Sequence, residues 1–301
     1  MIRNGISVLA LLVLAACIPL NGQTGVPSPL YGVTVDDVSN LPDILTSLSK
    51  LPHKPTTRIV FDEYAPASRY IASSSEIHKV SYVMGEILDS YFFKDFSIED
   101  YLNRTSEYLN ALGDSVDIWE VGNEINGDWL GKTPDVVAKM TGAYDRVKAA
   151  GKTTELTLDF HPGCAKYPEN EMFTWAQANI PDRMKQGLDY VLVSYYEDHC
   201  KGFQPDWQPV FERLAAMFPK AKLGIGECGT SIQPRKAEYI KRYYTMRITV
   251  PGYVGGYFWW WYRRDMVPYT KPLWSILNDA MSASSLKEAV AGKGPGAADR
   301  F

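Results

Sequence analysis

The stretch Ile118-Trp119-Glu120-Val121-Gly122-Asn123-Glu124-Ile125 is a short apolar run that stops at a glycine and two polar residues. Beyond it, Thr133-Pro134-Asp135 opens an amphipathic stretch to Ala150, with proline at the favoured first helical position. A strand, a polar turn and a helix of this size make one βα unit. The unit recurs in both directions along the chain. Upstream, strands are expected at Leu30–Val35, Arg58–Asp62 and Ser81–Ile87; downstream, at Glu155–Phe160, Tyr190–Tyr195, Lys222–Gly226 and Val254–Trp261. With Asp117–Val121 they number eight.

Helical patterns lie between them. Val38–Lys50 and Ser73–Val80 come first, and Ser97–Leu112 opens with a capping-box-like Ser-Ile-Glu-Asp. Val210, Phe211, Leu214, Ala215 and Phe218 share one face, and Arg235–Ile248 and Pro272–Met281 complete the series. Eight alternations over about 250 residues predict an α/β fold, a single closed (β/α)8 TIM barrel. The rival, an open doubly wound sheet, usually announces itself by a glycine-rich first turn, and none follows Leu30–Val35. No Pro/Gly linker divides the chain, so one domain is expected over residues 29–290, with a flexible Gly/Ala-rich tail at 291–301.

Composition narrows the partners. The 301 residues are 46% hydrophobic and 22% charged, ordinary for a globular protein with a sizeable core. A net charge of −4 argues against nucleic acid, whose phosphates call for an excess of Lys and Arg. Eight Trp and 19 Tyr are many. Planar rings stack on sugar faces, which points to carbohydrate, although large aromatics also fill cores.

Residues 1–17 carry a positive start, an apolar run from Ile6 to Leu14 and then small residues, the form of an export signal. The run is too short for a membrane span of roughly 20 residues. Leu14-Ala15-Ala16-Cys17 resembles a bacterial lipobox, in which Cys17 is lipidated; an ordinary cleaved signal is the alternative. Residues 18–28 read as a tether. The mature chain is therefore expected outside the cytoplasm, as a cell-envelope lipoprotein or a periplasmic or secreted protein, touching membrane only through that lipid. Cys164 and Cys200 follow the fifth and sixth strands, neighbours in a barrel, and are the candidate disulfide in an oxidising compartment. Cys228 is then a buried free thiol. The four histidines are scattered and no CxxC, HxH or HExxH occurs, so neither metal nor cofactor is expected.

In a TIM barrel the working side chains stand at the C-terminal ends of the strands. The fourth strand ends in Asn123-Glu124 and the seventh in Gly226-Glu227-Cys228-Gly229. Glycosidic cleavage needs two such carboxyl groups, one to protonate the leaving oxygen and one to attack the anomeric carbon or activate water.

The run Trp119-Glu120-Val121-Gly122-Asn123-Glu124 resembles the fourth-strand motif of the clan A (4/7 superfamily) retaining glycoside hydrolases. The resemblance implies that Glu124 is the acid/base, Glu227 the nucleophile, and Asn123 a partner of the sugar 2-hydroxyl. It further implies that Arg58, on the second strand, braces the nucleophile and that Tyr196, after the sixth, hydrogen-bonds it. Trp261 in Phe258-Trp259-Trp260-Trp261 would floor the sugar subsite; Trp259 shares its face of a strand. His161, ending the fifth strand, is a further candidate for substrate contact, and Glu120 is expected to be a buried, paired charge. The match covers roughly residues 30–285. Many clan members carry His where Ser194 stands. The wording Val-Gly-Asn-Glu-Ile and Ser-Tyr-Tyr is similar to the endo-galactanase branch, whereas Gly-Glu-Cys-Gly fits that branch less well.

The expectation is a monomeric glycosidase cleaving β-linked glycan by double displacement without a cofactor. A glycan-binding surface lipoprotein is the alternative. Hydrolysis and transglycosylation look alike at this level.

Overall fold

The computed structural model describes residues 27–284 and 286. The export signal with Cys17, most of the tether and the tail at 291–301 lie outside the described residues.

Eight strands close into one parallel barrel in chain order, β8 pairing back onto β1. They are β1 Leu30–Val35, β2 Thr56–Val60, β3 Tyr82–Glu86, β4 Ile118–Glu120, β5 Thr153–Asp159, β6 Tyr190–Tyr195, β7 Lys222–Cys228 and β8 Tyr253–Trp259. The helices are α1 Leu41–Ser49, α2 Ile71–Val80, α3 Ile98–Leu112, α4 Thr133–Ala149, α5 Met172–Asn179, α6 Asp182–Lys185, α7 Trp207–Met217, α8 Lys236–Tyr244, α9 Tyr262–Met266 and α10 Pro272–Ser282. The expected TIM barrel is the observed fold.

Caps account for several of these starts. The Ser97 hydroxyl accepts from the Asp100 amide at the head of α3, and Asp206 accepts from Gln208 at the head of α7. Prolines occupy the first turn of α1, α4 and α10.

Side chains alternate across each strand, so residues two apart share a face. Leu30, Met84, Ile118, Tyr190, Leu192, Val254 and Phe258 form a small apolar cluster drawn from five strands. Two residues nearer the strand C-termini, the faces of Met84, Ile118 and Leu192 carry Glu86, Glu120 and Ser194. A second, much larger apolar cluster joins the other strand faces to the helices. The barrel is thus oily below and polar directly beneath its mouth.

Several boundaries differ from the sequence reading. β2 and β5 each begin two residues earlier, at Thr56 and Thr153, because threonine pairs well in a ladder although it reads as loop. The helix expected over Arg235–Ile248 stops at Tyr244, and α5, α6 and α9 were not anticipated. β8 ends at Trp259, two residues short of expectation. Gly255, Gly256, Tyr257 and Phe258 all hold positive φ, and β8 changes register against both neighbours. A Cβ on Gly256 would collide with the Ile225 carbonyl, so glycine is required at that close approach.

Candidate active site

A cleft of about 530 Å³ opens at the C-terminal face of the barrel, and both Glu124 and Glu227 line it. Asn123, Tyr196, His161 and Trp261 line it as well, so the strand ends singled out from sequence converge there. Asp89, Ser90, Tyr91, Trp129, Asp159, His199 and Trp260 complete the wall.

Glu227 is held from two sides. The buried Arg58 guanidinium donates from Nη1 to Oε2 at 2.7 Å, and the Tyr196 hydroxyl donates to Oε1 at 2.5 Å. β6 and β7 slip register between Val193 and Ser194, so that Ser194 pairs with Glu227 and not with Gly226. That irregularity brings the Glu227 backbone level with the sixth-strand end. Burial lifts the Glu227 pKa; Arg58 and Tyr196 oppose the lift, Asp89 and Glu120 add to it, and it settles at about 7.

Arg58 is fully buried and serves more than one carboxylate. Its Nε and Nη2 form a fork onto Glu120, at 2.6 and 2.9 Å, and Nη2 lies 3.0 Å from Glu86. Glu120 also accepts from Asn123 Nδ2 at 3.1 Å and from Thr157 at 2.8 Å. Asn123 in turn accepts the Ser90 amide at 3.0 Å. Its side chain is therefore oriented by Glu120 on one side and by the loop after β3 on the other. Glu120 is the buried, paired charge expected of it.

Glu124 has a different environment. Ser194 Oγ donates to Oε1 at 2.6 Å and Ser90 Oγ to Oε2 at 2.8 Å; Trp129 Nε1 donates to that same Ser90 oxygen at 3.1 Å. Burial, then the neighbouring Glu227 and Asp159 charges, push the Glu124 pKa well above the carboxylate range, against the two serine hydrogen bonds. Among the described residues, no Lys, Arg or His forms an ion pair with it. A hydroxyl can turn to accept as readily as to donate, so either serine suits a protonated Glu124. Its backbone holds φ 47°, an uncommon conformation for a residue with a Cβ, stabilised by the Gly127 amide on the Glu124 carbonyl at 2.7 Å.

His161 sits 2.5 Å from Asp159 through Nδ1. Burial works against the imidazolium, yet the Asp159 carboxylate more than offsets it and the His161 pKa rises. Cys164 and Cys200 form a disulfide with Cα atoms 5.6 Å apart, tying the loop after β5 to the turn after β6. His161 and His199 are carried by those two segments. Cys228 is a buried free thiol.

Trp259 is not in the cleft. β8 ends there, its indole is fully buried and donates to Asp265 at 3.1 Å, and the chain turns before Trp261 caps α9. The two-residue period that would have put Trp259 and Trp261 on one face does not run that far. Trp260 takes the place in the wall, with the Arg58 guanidinium 5.7 Å from its ring centroid. Trp261 lies edge-on to Tyr196, 6.0 Å between centroids. It also packs over Gly229, where a Cβ would come within 2.8 Å of its ring.

No protein-family model matches the sequence, and no curated protein matches it. Solved structures share the fold. Saccharomyces cerevisiae Gas2p in complex with laminaritriose and laminaritetraose is similar with a TM-score of 0.55 at 10% identity, over 86% of this chain and 65% of that one. ScGas2 in complex with compound 8 gives a TM-score of 0.59 at 11% identity, over 89% and 67%. The chain thus spans about two thirds of the length of these structures. The first of these structures holds laminari-oligosaccharides, and what these likenesses show for this chain is the barrel fold.

Some of the site carried no signal in the sequence. Ser90, Trp129 and Asp89 arrive on loops with no motif. Ser194 stood in view only as a departure from the clan pattern; its hydroxyl on Glu124 is what that position contributes here. Among the described residues, no group of three or more His, Cys, Asp and Glu is placed to hold a metal ion.

Proposed function

We propose that the chain is a retaining glycoside hydrolase acting on β-linked glycan, with Glu227 as nucleophile and Glu124 as acid/base. The observation that carries this is the contrast between two carboxyl groups in one cleft. Glu227 faces a guanidinium and a phenol that favour its anion, while the hydrogen-bond partners of Glu124 among the described residues are two neutral hydroxyls. Such divergent surroundings are how two carboxyl groups divide acid and nucleophile roles.

In the proposed reaction Glu124 gives its proton to the leaving oxygen as Glu227 Oε attacks the anomeric carbon and forms a glycosyl-enzyme. Water, deprotonated by Glu124, then releases the sugar. Asn123 hydrogen-bonds the 2-hydroxyl, Tyr196 and Arg58 hold Glu227, and Trp260 and Trp261 supply ring surface to the sugar. The laminari-oligosaccharides bound by the similar yeast structure make β-1,3-glucan the first substrate to offer.

The test is reducing-sugar release from β-1,3-glucan, β-1,4-glucan, mannan and galactan by wild type and Glu227→Gln. Release by wild type alone is expected. Equal release by both removes Glu227 from the chemistry; binding without release by either supports the glycan-binding alternative. Double displacement adds that azide rescues Glu227→Ala with a glycosyl azide of inverted configuration. Export and lipidation belong to the same proposal, and palmitate labelling lost in Cys17→Ser is the expected result. Elution as a monomer on size exclusion is expected too.

A further inference from the structure

Tyr64 and Tyr91 are the most exposed large apolar side chains among the described residues, at 77% and 66%. They stand on the loops after β2 and β3, on the same face of the barrel as the cleft. Tyr91 lines the cleft itself. From it the rings continue outward: Tyr91 meets Phe92 edge-on at 5.2 Å, Phe92 meets Tyr64 at 6.5 Å, and Tyr64 stacks on Phe96 at 6.4 Å with 13° between planes. Tyr64 and Phe96 also line a depression of about 610 Å³.

A contiguous exposed apolar patch, unlike a single exposed ring, commonly marks a binding surface. The loop that carries Tyr64 has a rigid base. The buried Arg104 guanidinium donates to five backbone carbonyls, those of Phe61, Asp62, Glu63, Ala65 and Ile87. Tyr108 donates to Ala65 at 2.9 Å, and Glu107 receives the Ala67 amide at 2.8 Å. The loop bearing Tyr64 is therefore fixed by side chains beneath it, and the ring is presented in advance of any ligand.

We propose that this aromatic strip is an extended binding site for the outer residues of a neutral glycan whose scissile bond lies at Glu124 and Glu227. The apolar C–H face of a sugar ring matches an exposed aromatic face, and Tyr91 makes the strip continuous with the cleft. Charge favours a neutral chain: Glu63, Asp100 and Glu107 rim the outer depression, where Arg104 is committed to carbonyls, against Lys94 at 5.7 Å from the Tyr91 ring at the inner end, so a polyuronate meets net repulsion along the strip. The strip's role as an extension rests on the hydrolase reading; its ability to hold glycan does not.

The test is affinity electrophoresis of the full chain in gels containing β-1,3-glucan, β-1,4-glucan, mannan, galactan or polygalacturonate. Wild type and Glu227→Gln are expected to be retarded by at least one neutral polymer and not by polygalacturonate. Tyr64→Ala should bind that polymer about two- to tenfold more weakly, with Tyr64→Phe near wild type and the trisaccharide of the same glycan unaffected. Equal retardation of wild type and Tyr64→Ala, retardation by no neutral polymer, or equal binding of polygalacturonate would overturn the proposal. Wild-type binding without sugar release would sink the hydrolase reading and leave the strip standing. Hydrolysis of polymer by Tyr64→Ala at the wild-type kcat/KM would do the reverse.

Discussion

Glu227 sits between opposing influences, and the balance is measurable. Burial raises its pKa to about 7 in spite of Arg58 and Tyr196. As pH falls through 7 the carboxylate takes up a proton and can no longer attack, so kcat/KM should fall with an acid limb near pH 7. Removing an opposing donor must raise that pKa further. Tyr196→Phe is therefore expected to move the acid limb to higher pH and to lower kcat/KM roughly 10- to 100-fold, the range for a hydrogen bond to a charged group. An acid limb left in place, with activity intact, would separate Tyr196 from the nucleophile. Arg58→Ala should move the limb the same way and also cost about 3–5 kcal/mol in denaturant melts, because Glu120 and Glu86 would lose their buried partner. Glu124, Glu227, Asn123 and Tyr196 were legible because each stands at or just past the end of a strand, and strand ends in a barrel face one mouth; Arg58, in the middle of β2, was singled out only by the likeness to the clan's second strand. Ser90 was not legible, since a serine hydroxyl in an irregular loop has neither periodicity nor motif to mark it. Trp260 was hidden differently: which of three consecutive tryptophans enters the cleft depends on where β8 stops.

Between elements, the disulfide is the joint that matters to the site. It closes a separation of 36 residues and secures the segments that carry His161 and His199. A loop of that size should contribute about 3–4 kcal/mol through restriction of the unfolded chain. Cys164→Ser with Cys200→Ser should lower the unfolding free energy by roughly that amount and raise KM more than it lowers kcat, since the segments line the cleft but do not carry Glu124 or Glu227. An unchanged melting temperature under reducing and oxidising conditions alike would dismiss the cross-link as a stabilising element. The pairing was readable from topology, because consecutive parallel strands place consecutive loops side by side. β8 was less readable, since positive φ at Tyr257 and Phe258 breaks the alternation that marks a strand. At the same scale, Gly229→Ala should displace Trp261 from its seat beside Tyr196. Its expected signature is weakened glycan binding with a near-normal melting temperature.

Across the whole molecule, the barrel interior holds an excess of acid. Glu86, Glu120, Glu155 and Glu227 share the space around one guanidinium, that of Arg58. Burial pushes Glu86 and Glu155 well above the carboxylate range, with Arg58 opposing the shift and Glu120 adding to it. A carboxyl whose folded pKa exceeds its unfolded value near 4.3 keeps its proton in the native state while the unfolded chain has lost it. Folding stability then falls as pH rises from about 4.3 toward the folded pKa, at about 1.4 kcal/mol per pH unit for each such group. Glu124, Asp159 and His161 are shifted upward too and act in the same direction, while Asp37 is shifted down and acts against them. The melting temperature should therefore be higher at pH 5 than at pH 8, the reverse of a protein held by ionised surface pairs. Glu155 isolates the effect. Its Oε1 stands 3.0 Å from Thr157 Oγ1, whose one proton goes to Glu120 at 2.8 Å, so the protonated Glu155 donates to that hydroxyl oxygen and a glutamine amide can donate there in its place. Glu155→Gln removes the titration and leaves the shape. Thermal melts across pH 5 to 8 should give a shallower decline than wild type and a melting temperature a few degrees higher at pH 8. Parallel curves for the two proteins would mean that the interior acid is not what couples this barrel's stability to pH.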